Sequence, residues 1–462
     1  MAKKVKNTNK VVTGIESASY GLYFMGQNLF YILIYMYLNT YYTDIGISAA
    51  AVAAIALVVK VWDAVNDPIF GALMDRFHFK KGTFVPWLRI SLVGIPVATI
   101  LMFATPLSIS PAAKIAWAVI AYMLWDTAYT LCDVPIFGLV TTITPNQDER
   151  TSLNAIGRVC AMIAALIVTV VIPSFRKALG GWTSTVVLLS VIGDITMLPI
   201  CFSAKERVEP KDEEKEKEYS LKDMFGYLKT NKFLLIFYIA FIFYGAFNVT
   251  SSWGLYISRY CFGDESVSTY TGLLAIIPVI IIGMFVPSLI KKVDKFKLYY
   301  IAMIATLVTT VIKYFVGYSS LPAFLAISVL QSLPAGIITV VMYMFTPDCV
   351  EYGHYKTGKR MPGITFATQT FFVKLQSAIL TAVAAGMLAA IGFVEGEDAV
   401  QAAGFVDKMW FFSCWLFIAG LVIVLVILHF YKLNDHDVQL MAKVNDGQMD
   451  RAEAEAQMIN KY

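Results

Sequence analysis

AKERVEPKDEEKEKEYSLKDMFGYLKT, residues 204–230, is the only long charged stretch in an otherwise apolar chain. A block of mixed charge this dense is solvated and cannot bury itself. What lies on either side of it decides the fold. Six long apolar runs precede it, near residues 19–43, 46–74, 87–106, 114–141, 154–175 and 182–202. Six more follow, near 233–258, 268–290, 298–318, 322–346, 363–391 and 408–431. A bilayer core about 30 Å thick is crossed by about 20 mostly apolar residues in a helix, and each run is long enough. A soluble protein with a large core could bury one or two such runs, not twelve. The sequence therefore predicts an all-α membrane protein of twelve transmembrane helices in two six-helix bundles. The first bundle covers residues 1–203, a cytoplasmic linker loop covers 204–230, the second bundle covers 231–432, and a cytoplasmic tail covers 433–462.

Composition agrees. Of 462 residues 58% are hydrophobic and only 15% charged, with a mean hydropathy of +0.65. Soluble chains carry about 45–50% apolar and about 25% charged residues. Backbone groups in lipid must be satisfied within their own segment, so the spans are helices. A β-barrel would show short alternating strands, and none are present. Most of the 37 Lys and Arg crowd one side of the membrane: Lys3, Lys4, Lys6 and Lys10, then Arg76, Lys80, Lys81 and Arg150, the central stretch, Lys291–Lys297, Lys356–Arg360 and the tail. The positive-inside rule then places both termini in the cytoplasm, which requires an even number of spans. Met1–Lys10 is basic, but the apolar run behind it is too long for a signal-peptide core, so the first span is expected to stay in the mature protein.

Six scattered cysteines (Cys132, Cys160, Cys201, Cys261, Cys349, Cys414) form neither a metal pattern nor a disulfide framework and read as packing residues. There is no phosphate-binding loop, dinucleotide fingerprint or nucleophile motif, so an enzyme is not expected, and ATP-driven transport would need a partner chain. The segment Asp450–Ile459 reads as a cytosolic helix without a catalytic role.

Ionisable groups inside a span are costly and mark functional sites. The second run carries Lys60, Asp63 and Asp67 at i, i+3 and i+7, stacked on one helical face, with Asn66 at its border. The fourth carries Asp126, Thr130, Asp133 and Phe137 at helical spacing. Two carboxylates one turn apart, with amide and hydroxyl oxygens at hand, suit a hard cation. The same carboxylates could instead share a proton, since like charges this close raise one pKa. Lys60 could also simply neutralise Asp63 in a static pair. Arg158 and Lys374 are further deep cations, and Arg158 could serve as a plain partner for Asp133. Aromatic residues crowd the first run (Tyr20, Tyr23, Phe24, Phe30, Tyr31, Tyr35), where they can stack on sugar rings or simply pack. Asn66-Asp67-Pro68-x-x-Gly71-x-x-x-Asp75-Arg76 after the second run is echoed by Gly283…Lys291-Lys292-x-Asp294-Lys295 after the eighth, as in carriers built from repeated halves.

The string Lys60-Val-Trp-Asp63-Ala-Val-Asn66-Asp67-Pro68-x-x-Gly71, running on to Asp75-Arg76 and Lys81-Gly82-x-Phe84-x-Pro86-Trp87, closely resembles the glycoside–pentoside–hexuronide:cation symporters. These are the melibiose-permease branch of the major facilitator superfamily. Tyr129-Thr130-x-x-Asp133-x-Pro135 resembles their fourth helix, and Glu149-Arg150…Arg158 their entry to the fifth. Asp348-x-Val350-Glu351-Tyr352-x-x-Tyr355-Lys356-Thr357-Gly358-x-Arg360 resembles their loop between helices ten and eleven. With Tyr42-Thr43-Asp44 and Tyr431-x-Leu433-Asn434-Asp435 the likeness spans nearly the whole chain.

The resemblance implies a major facilitator fold and residue-specific roles. Asp63, Asn66, Asp67 and Thr130 match the family's cation site, which would hold Na⁺. Asp133 and Arg158 match positions that bind sugar hydroxyls, and Lys374 one that supports the site; Asn28 and Phe137 complete the expected sugar pocket. The chain departs from the melibiose type at Gln27-Asn28, where a Lys-Asp pair is usual, and at Phe137, where Trp is usual. That leaves a glycoside, pentoside or hexuronide open. The expectation is a secondary active symporter in the inner (cytoplasmic) membrane, with no cofactor beyond Na⁺ or H⁺ as coupling ion. Its expected partners are a small sugar, the ion and the lipid bilayer, with no nucleic acid, and it is expected to function as a monomer. Two other readings are a carrier of a non-sugar solute such as a lipid or drug, and a membrane sugar sensor that moves nothing. A wholly apolar cavity would favour the first, and a signalling domain, for which neither 204–230 nor the tail is large enough, the second.

Overall fold

The computed structural model describes residues 11–76, 79, 82–208, 221–396 and 399–462, and these are helical throughout apart from connections. The chain divides into two compact units, Met1–Lys215 with Glu395–Ala399, and Glu216–Val394 with Val400–Tyr462.

In the first unit the order is α1 (Gly14–Asp44), α2 (Ala49–Arg76), α3 (Val85–Met102), α4 (Pro111–Ile143), α5 (Gln147–Phe175), α6 (Trp182–Met197) and the one-turn α7 (Ile200–Ser203). Their starts are set by local chemistry. Thr13 and Glu16 form a capping box on α1, with the Thr13 hydroxyl accepting from the Glu16 amide and the Glu16 carboxylate accepting from the Thr13 amide. Ser110 caps α4 directly before Pro111, whose missing N–H is harmless at that position. α1 packs on α5 and α6 through glycines. A Cβ on Gly26 would lie 2.5 Å from the Gly193 carbonyl, and one on Gly21 would lie 2.7 Å from Ile156. Small residues at such crossings let membrane helices approach closely.

In the second unit the order is α8 (Leu221–Thr230), α9 (Lys232–Ala246), α10 (Thr250–Phe262), α11 (Ser266–Leu289), α12 (Lys295–Val316), α13 (Leu321–Val341), α14 (Phe345–Thr357), α15 (Pro362–Ala390), α16 (Phe405–Leu428), and the tail helices α17 (Asp435–Asn445) and α18 (Arg451–Gln457). Its core is aromatic. Phe237 lies 4.8 Å from Phe345 between ring centres, Phe296 stacks on Tyr431 at 5.0 Å, and the buried Tyr238 and Thr346 hydroxyls are 2.6 Å apart.

Among the described residues ten helical segments are long and apolar enough to cross a membrane. Three of them are broken, at α6–α7, α9–α10 and α13–α14. α1 and α2 are not among the ten, although their 31 and 28 residues would reach about 46 and 42 Å at 1.5 Å per residue. Polar and aromatic residues lower the hydropathy of α1, whereas α2 includes side chains outside the described residues; the two helices carry many of the candidate site residues.

The structure differs from the sequence reading in two places. The segment from Asp348 to Lys356, read as part of a loop, is helical and belongs to α14. Asp348 lies in the first turn of that helix, and the Lys295 ammonium at the start of α12 approaches its carboxylate to 2.6 Å. The ends of the charged stretch, read as solvated, are packed. Glu206 accepts from the Thr83, Phe84 and Val85 amides at 2.8–2.9 Å, satisfying the start of α3, which has no side-chain cap of its own. Arg207 bonds the Glu16 carboxylate at 2.8 and 3.1 Å. Burial alone would raise the Glu16 carboxyl, but the Arg207 and Thr13 hydrogen bonds outweigh it and hold it below its ordinary value. At the other end, Tyr227 and Leu228 of α8 are buried in the core of the second unit.

Candidate functional site

α2 and α4 bring the expected cation ligands together in the first unit. Asn66 is fully buried, and its amide nitrogen donates to the Thr130 hydroxyl at 2.9 Å. Its amide oxygen accepts from Thr127 at 3.3 Å, and Thr127 in turn accepts from the Trp62 indole at 3.1 Å. Thr130 donates back to the Asp126 carbonyl of its own helix at 3.1 Å. Asp63, one turn before Asn66, is buried and its carboxylate lies 3.3 Å from the Lys60 ammonium. Asp67 lies on α2, but its side chain is outside the described residues. The cluster is a set of hard oxygens, amide, hydroxyl and carboxylate, in a protein interior where an unpaired charge is costly. Trp62 and Thr127 are additions that the sequence reading missed. Thr127 sits three residues before Thr130, so helical spacing alone could have flagged it.

Directly beside this cluster, α4 continues to Asp133. Its carboxylate accepts from the Gln27 amide of α1 at 2.5 Å, and the same amide nitrogen donates to the Tyr129 hydroxyl at 3.1 Å. Gln27 is 1% exposed, yet its own amide oxygen has no hydrogen-bond partner. Pro135 has no N–H, so the Leu131 carbonyl loses its ladder donor within a turn of Asp133. Aromatic rings surround these groups. Tyr129 stacks on Trp125 at 5.0 Å, Tyr31 lies 5.6 Å from Tyr129, and Phe137 meets Phe24 edge-on at 5.2 Å while half exposed.

The other expected residues are placed less directly. Asn28 turns its amide nitrogen back onto the Phe24 carbonyl of α1 at 2.8 Å, so Gln27, not Asn28, is the first-helix residue whose amide donates to Asp133. The signal was present in the pair Gln27-Asn28, and helical phase separates them, since Gln27 shares a face with Tyr20 and Tyr23. Arg158 is on an exposed face of α5. Lys374 is half-buried on α15, in the second unit. The sequence reading also passed over Lys313 on α12. It is 7% exposed, lies 5.1 Å from the Phe324 ring centre and reaches the Gln331 side-chain oxygen at 3.5 Å.

An all-helical chain with long apolar helices and a buried polar cluster spread over three of its helices defines a multi-pass membrane protein. Its fold is shared with solved transporters. The nucleoside transporter NupG superposes with a TM-score of 0.63 at 14% identity, covering 91% of this chain and all of that one. A bacterial homolog of the human lysosomal transporter Spinster gives 0.61 at 11% identity, covering 95% and 98%. The family described as "MFS/sugar transport protein" matches residues 19–435. The chain belongs to that family, the glycoside–pentoside–hexuronide:cation symporters of the major facilitator superfamily, which are transporters and not enzymes. Among curated relatives, the uncharacterized symporter YnaJ of Bacillus subtilis is 30% identical over 94% of this chain and 95% of its own length. The isoprimeverose transporter of Lactiplantibacillus pentosus is 26% identical over 92% and 90%. The glucuronide carrier protein homolog of Escherichia coli is 25% identical over 90% and 92%.

Proposed function

We propose that this protein is a secondary active transporter of the inner membrane that couples the entry of a sugar to a cation by alternating access. In this reading α1 and α2 join the ten apolar helical segments to make twelve spans, and both termini are cytoplasmic. Asp63, Asn66, Asp67 and Thr130 hold Na⁺. Asn28, Asp133, Phe137, Arg158 and Lys374 take the sugar, and Gln27 joins them.

One observation carries the reading. Thr130 and Asp133 are three residues apart on α4, about 4.5 Å of helix rise, and the first is bonded to Asn66 while the second is bonded to Gln27. A cation drawn to Asn66 and Thr130 and a solute drawn to Asp133 and Gln27 therefore settle the same turn of helix. Each raises the other's affinity by the same factor, as linkage requires. A sugar suits the second half of the site because its hydroxyls both donate and accept. Asp133 and the unused Gln27 oxygen are acceptors, and the rings of Phe24, Phe137 and Tyr129 offer apolar faces to the C–H side of a pyranose. The neutral oxygens favour Na⁺ or Li⁺ over H⁺ alone. A dehydrated alkali ion needs such a shell and a proton does not.

The test is equilibrium binding to the purified full chain of a panel of glycosides, pentosides and hexuronides, each in Na⁺ and in choline. The expected result is saturable binding of at least one sugar that tightens in Na⁺. Binding of lipophilic solutes with no sugar bound under either condition would overturn the reading.

A further inference from the structure

At the end of the second unit that carries the C-terminus, an open cavity of about 590 Å³ lies between the α11–α12 turn, the segment leaving α16, and the start of α17. We propose that this cavity binds the phosphate group of an anionic phospholipid. Its lining includes Lys291, Lys292, Lys297, Lys432 and His436, against two carboxylates, Asp294 and Asp435.

Both carboxylates are already committed inward. Asp294 accepts from the Phe296 and Lys297 amides at 2.9 and 3.1 Å and from the Asp435 amide at 2.8 Å. Asp435 accepts from the Lys295 amide at 2.8 Å and lies 3.0 Å from the Lys295 ammonium. Each aspartate thus serves the start of the other's helix, and the pair fixes α12 and α17 as a rigid wall. The lysines have no such engagement. Among the described residues none of Lys291, Lys292, Lys297 and Lys432 has an ion-pair partner, and all four are exposed. The cavity therefore presents concentrated positive charge on a fixed frame, which suits a phosphate.

Position selects the lipid over a free ion. The cavity lies where three apolar helices, α11, α12 and α16, begin or end, which is the level of lipid headgroups. Apolar side chains face outward around it. Ile459, in the lining, is 71% exposed, Phe430 just beyond α16 is 62% exposed, and Met284 and Phe285 on α11 are 75% and 58% exposed. A soluble phosphate has no use for an apolar flank, whereas the glycerol and upper acyl carbons of a phospholipid do. Basic clusters at this level attract anionic lipids, each lysine adding a factor of about five to affinity.

The test uses the purified full chain, titrated with phosphatidylglycerol or phosphatidylcholine, with bound lipid counted by native mass spectrometry. The expected result is saturable phosphatidylglycerol binding at least several-fold tighter than phosphatidylcholine. The combined variant Lys291→Gln, Lys292→Gln, Lys432→Gln should weaken it about a hundredfold (about fivefold for each lysine). The control variant Lys229→Gln, Lys359→Gln, which removes exposed lysines outside the cavity, should leave it unchanged. Equal binding of the two lipids, an undiminished preference in the triple variant, or an equal loss in the control would overturn the proposal. So would abolition of phosphatidylglycerol binding by millimolar inorganic phosphate, which would make the site one for a free anion.

Discussion

Replacing Asn66 with alanine separates the cation's contribution from that of the fold. The side chain is buried and makes two side-chain hydrogen bonds, to Thr130 at 2.9 Å and from Thr127 at 3.3 Å. Its removal strands neither hydroxyl, because the single Thr127 proton, which Asn66 shares with the Met123 carbonyl, turns wholly to that carbonyl at 2.9 Å, and Thr130 donates to the Asp126 carbonyl at 3.1 Å. The structural loss is therefore two ordinary hydrogen bonds, about 1–3 kcal/mol in all, which lowers the melting temperature by a few degrees. The functional loss is larger in kind. If Asn66 helps hold Na⁺, the ion's coupling to sugar, about 1–3 kcal/mol or 5- to 150-fold in affinity, disappears. Sugar affinity measured by calorimetry at about pH 7.5 should rise in Na⁺ over choline for the unaltered protein. In the Asn66→Ala variant the two values should coincide at the choline value. A variant that melts near normally and keeps the full Na⁺ enhancement would refute the cation-site assignment.

Asp133→Ala should weaken sugar binding about 10- to 150-fold in both Na⁺ and choline, because a hydrogen bond to a charged group is worth about 1.5–3 kcal/mol, with little change in thermal stability; unchanged affinity by calorimetry would remove Asp133 from the solute site. Glu206→Ala leaves the Thr83, Phe84 and Val85 amides without their acceptor and should cost about 1–2 kcal/mol, read as a lowered melting temperature with Na⁺ coupling intact. Burial alone would raise the Asp437 carboxyl, but the Ile459 and Asn460 amides and the Tyr462 and Asn434 side chains hold it below its ordinary value. A carboxyl depressed on folding stabilises the docked tail above its unfolded pKa, about 3.9, and that contribution fades as pH falls through the lower folded value. The protection of the Ile459 and Asn460 amides, relative to their intrinsic exchange at the same pH, should therefore fall below about pH 4, and Asp437→Asn should lower it at neutral pH; equal protection in the variant at pH 7 would count against this.

How much was legible in the sequence depended on whether a contact is local. The apolar runs and the stacking of Lys60 on Asp63 follow from helix length and i, i+3 spacing, and the structure contains both. The Asn66–Thr130 contact joins two helices, and it was reached through the family motif; spacing within one helix could not supply it. The pairing of Gln27 with Asp133 was missed because α1 has polar and aromatic residues on most of its faces, which leaves its rotation unfixed. α14 was read as a loop because its segment resembles the family's loop between helices ten and eleven. Lys295, 53 positions away from Asp348, supplies the counter-charge, and no local pattern announces it. The strap at Glu206 and Arg207 was hidden in the same way, since its partners lie more than a hundred positions back along the chain. Lys313 needed no long-range information. A single lysine inside the apolar run 298–318 was there to be seen.

The central claim, that sugar and cation move together, is tested most directly by measuring both fluxes in one preparation. Proteoliposomes containing the full chain, with equal pH on both sides, are given an inward Na⁺ gradient and a labelled sugar that the binding panel has identified. Coupled movement predicts that the sugar accumulates above its external concentration while the gradient lasts. It predicts equally that, with no Na⁺ gradient, an inward sugar gradient drives labelled Na⁺ inward. Sugar that only equilibrates under the Na⁺ gradient, together with Na⁺ entry indifferent to sugar, would contradict it.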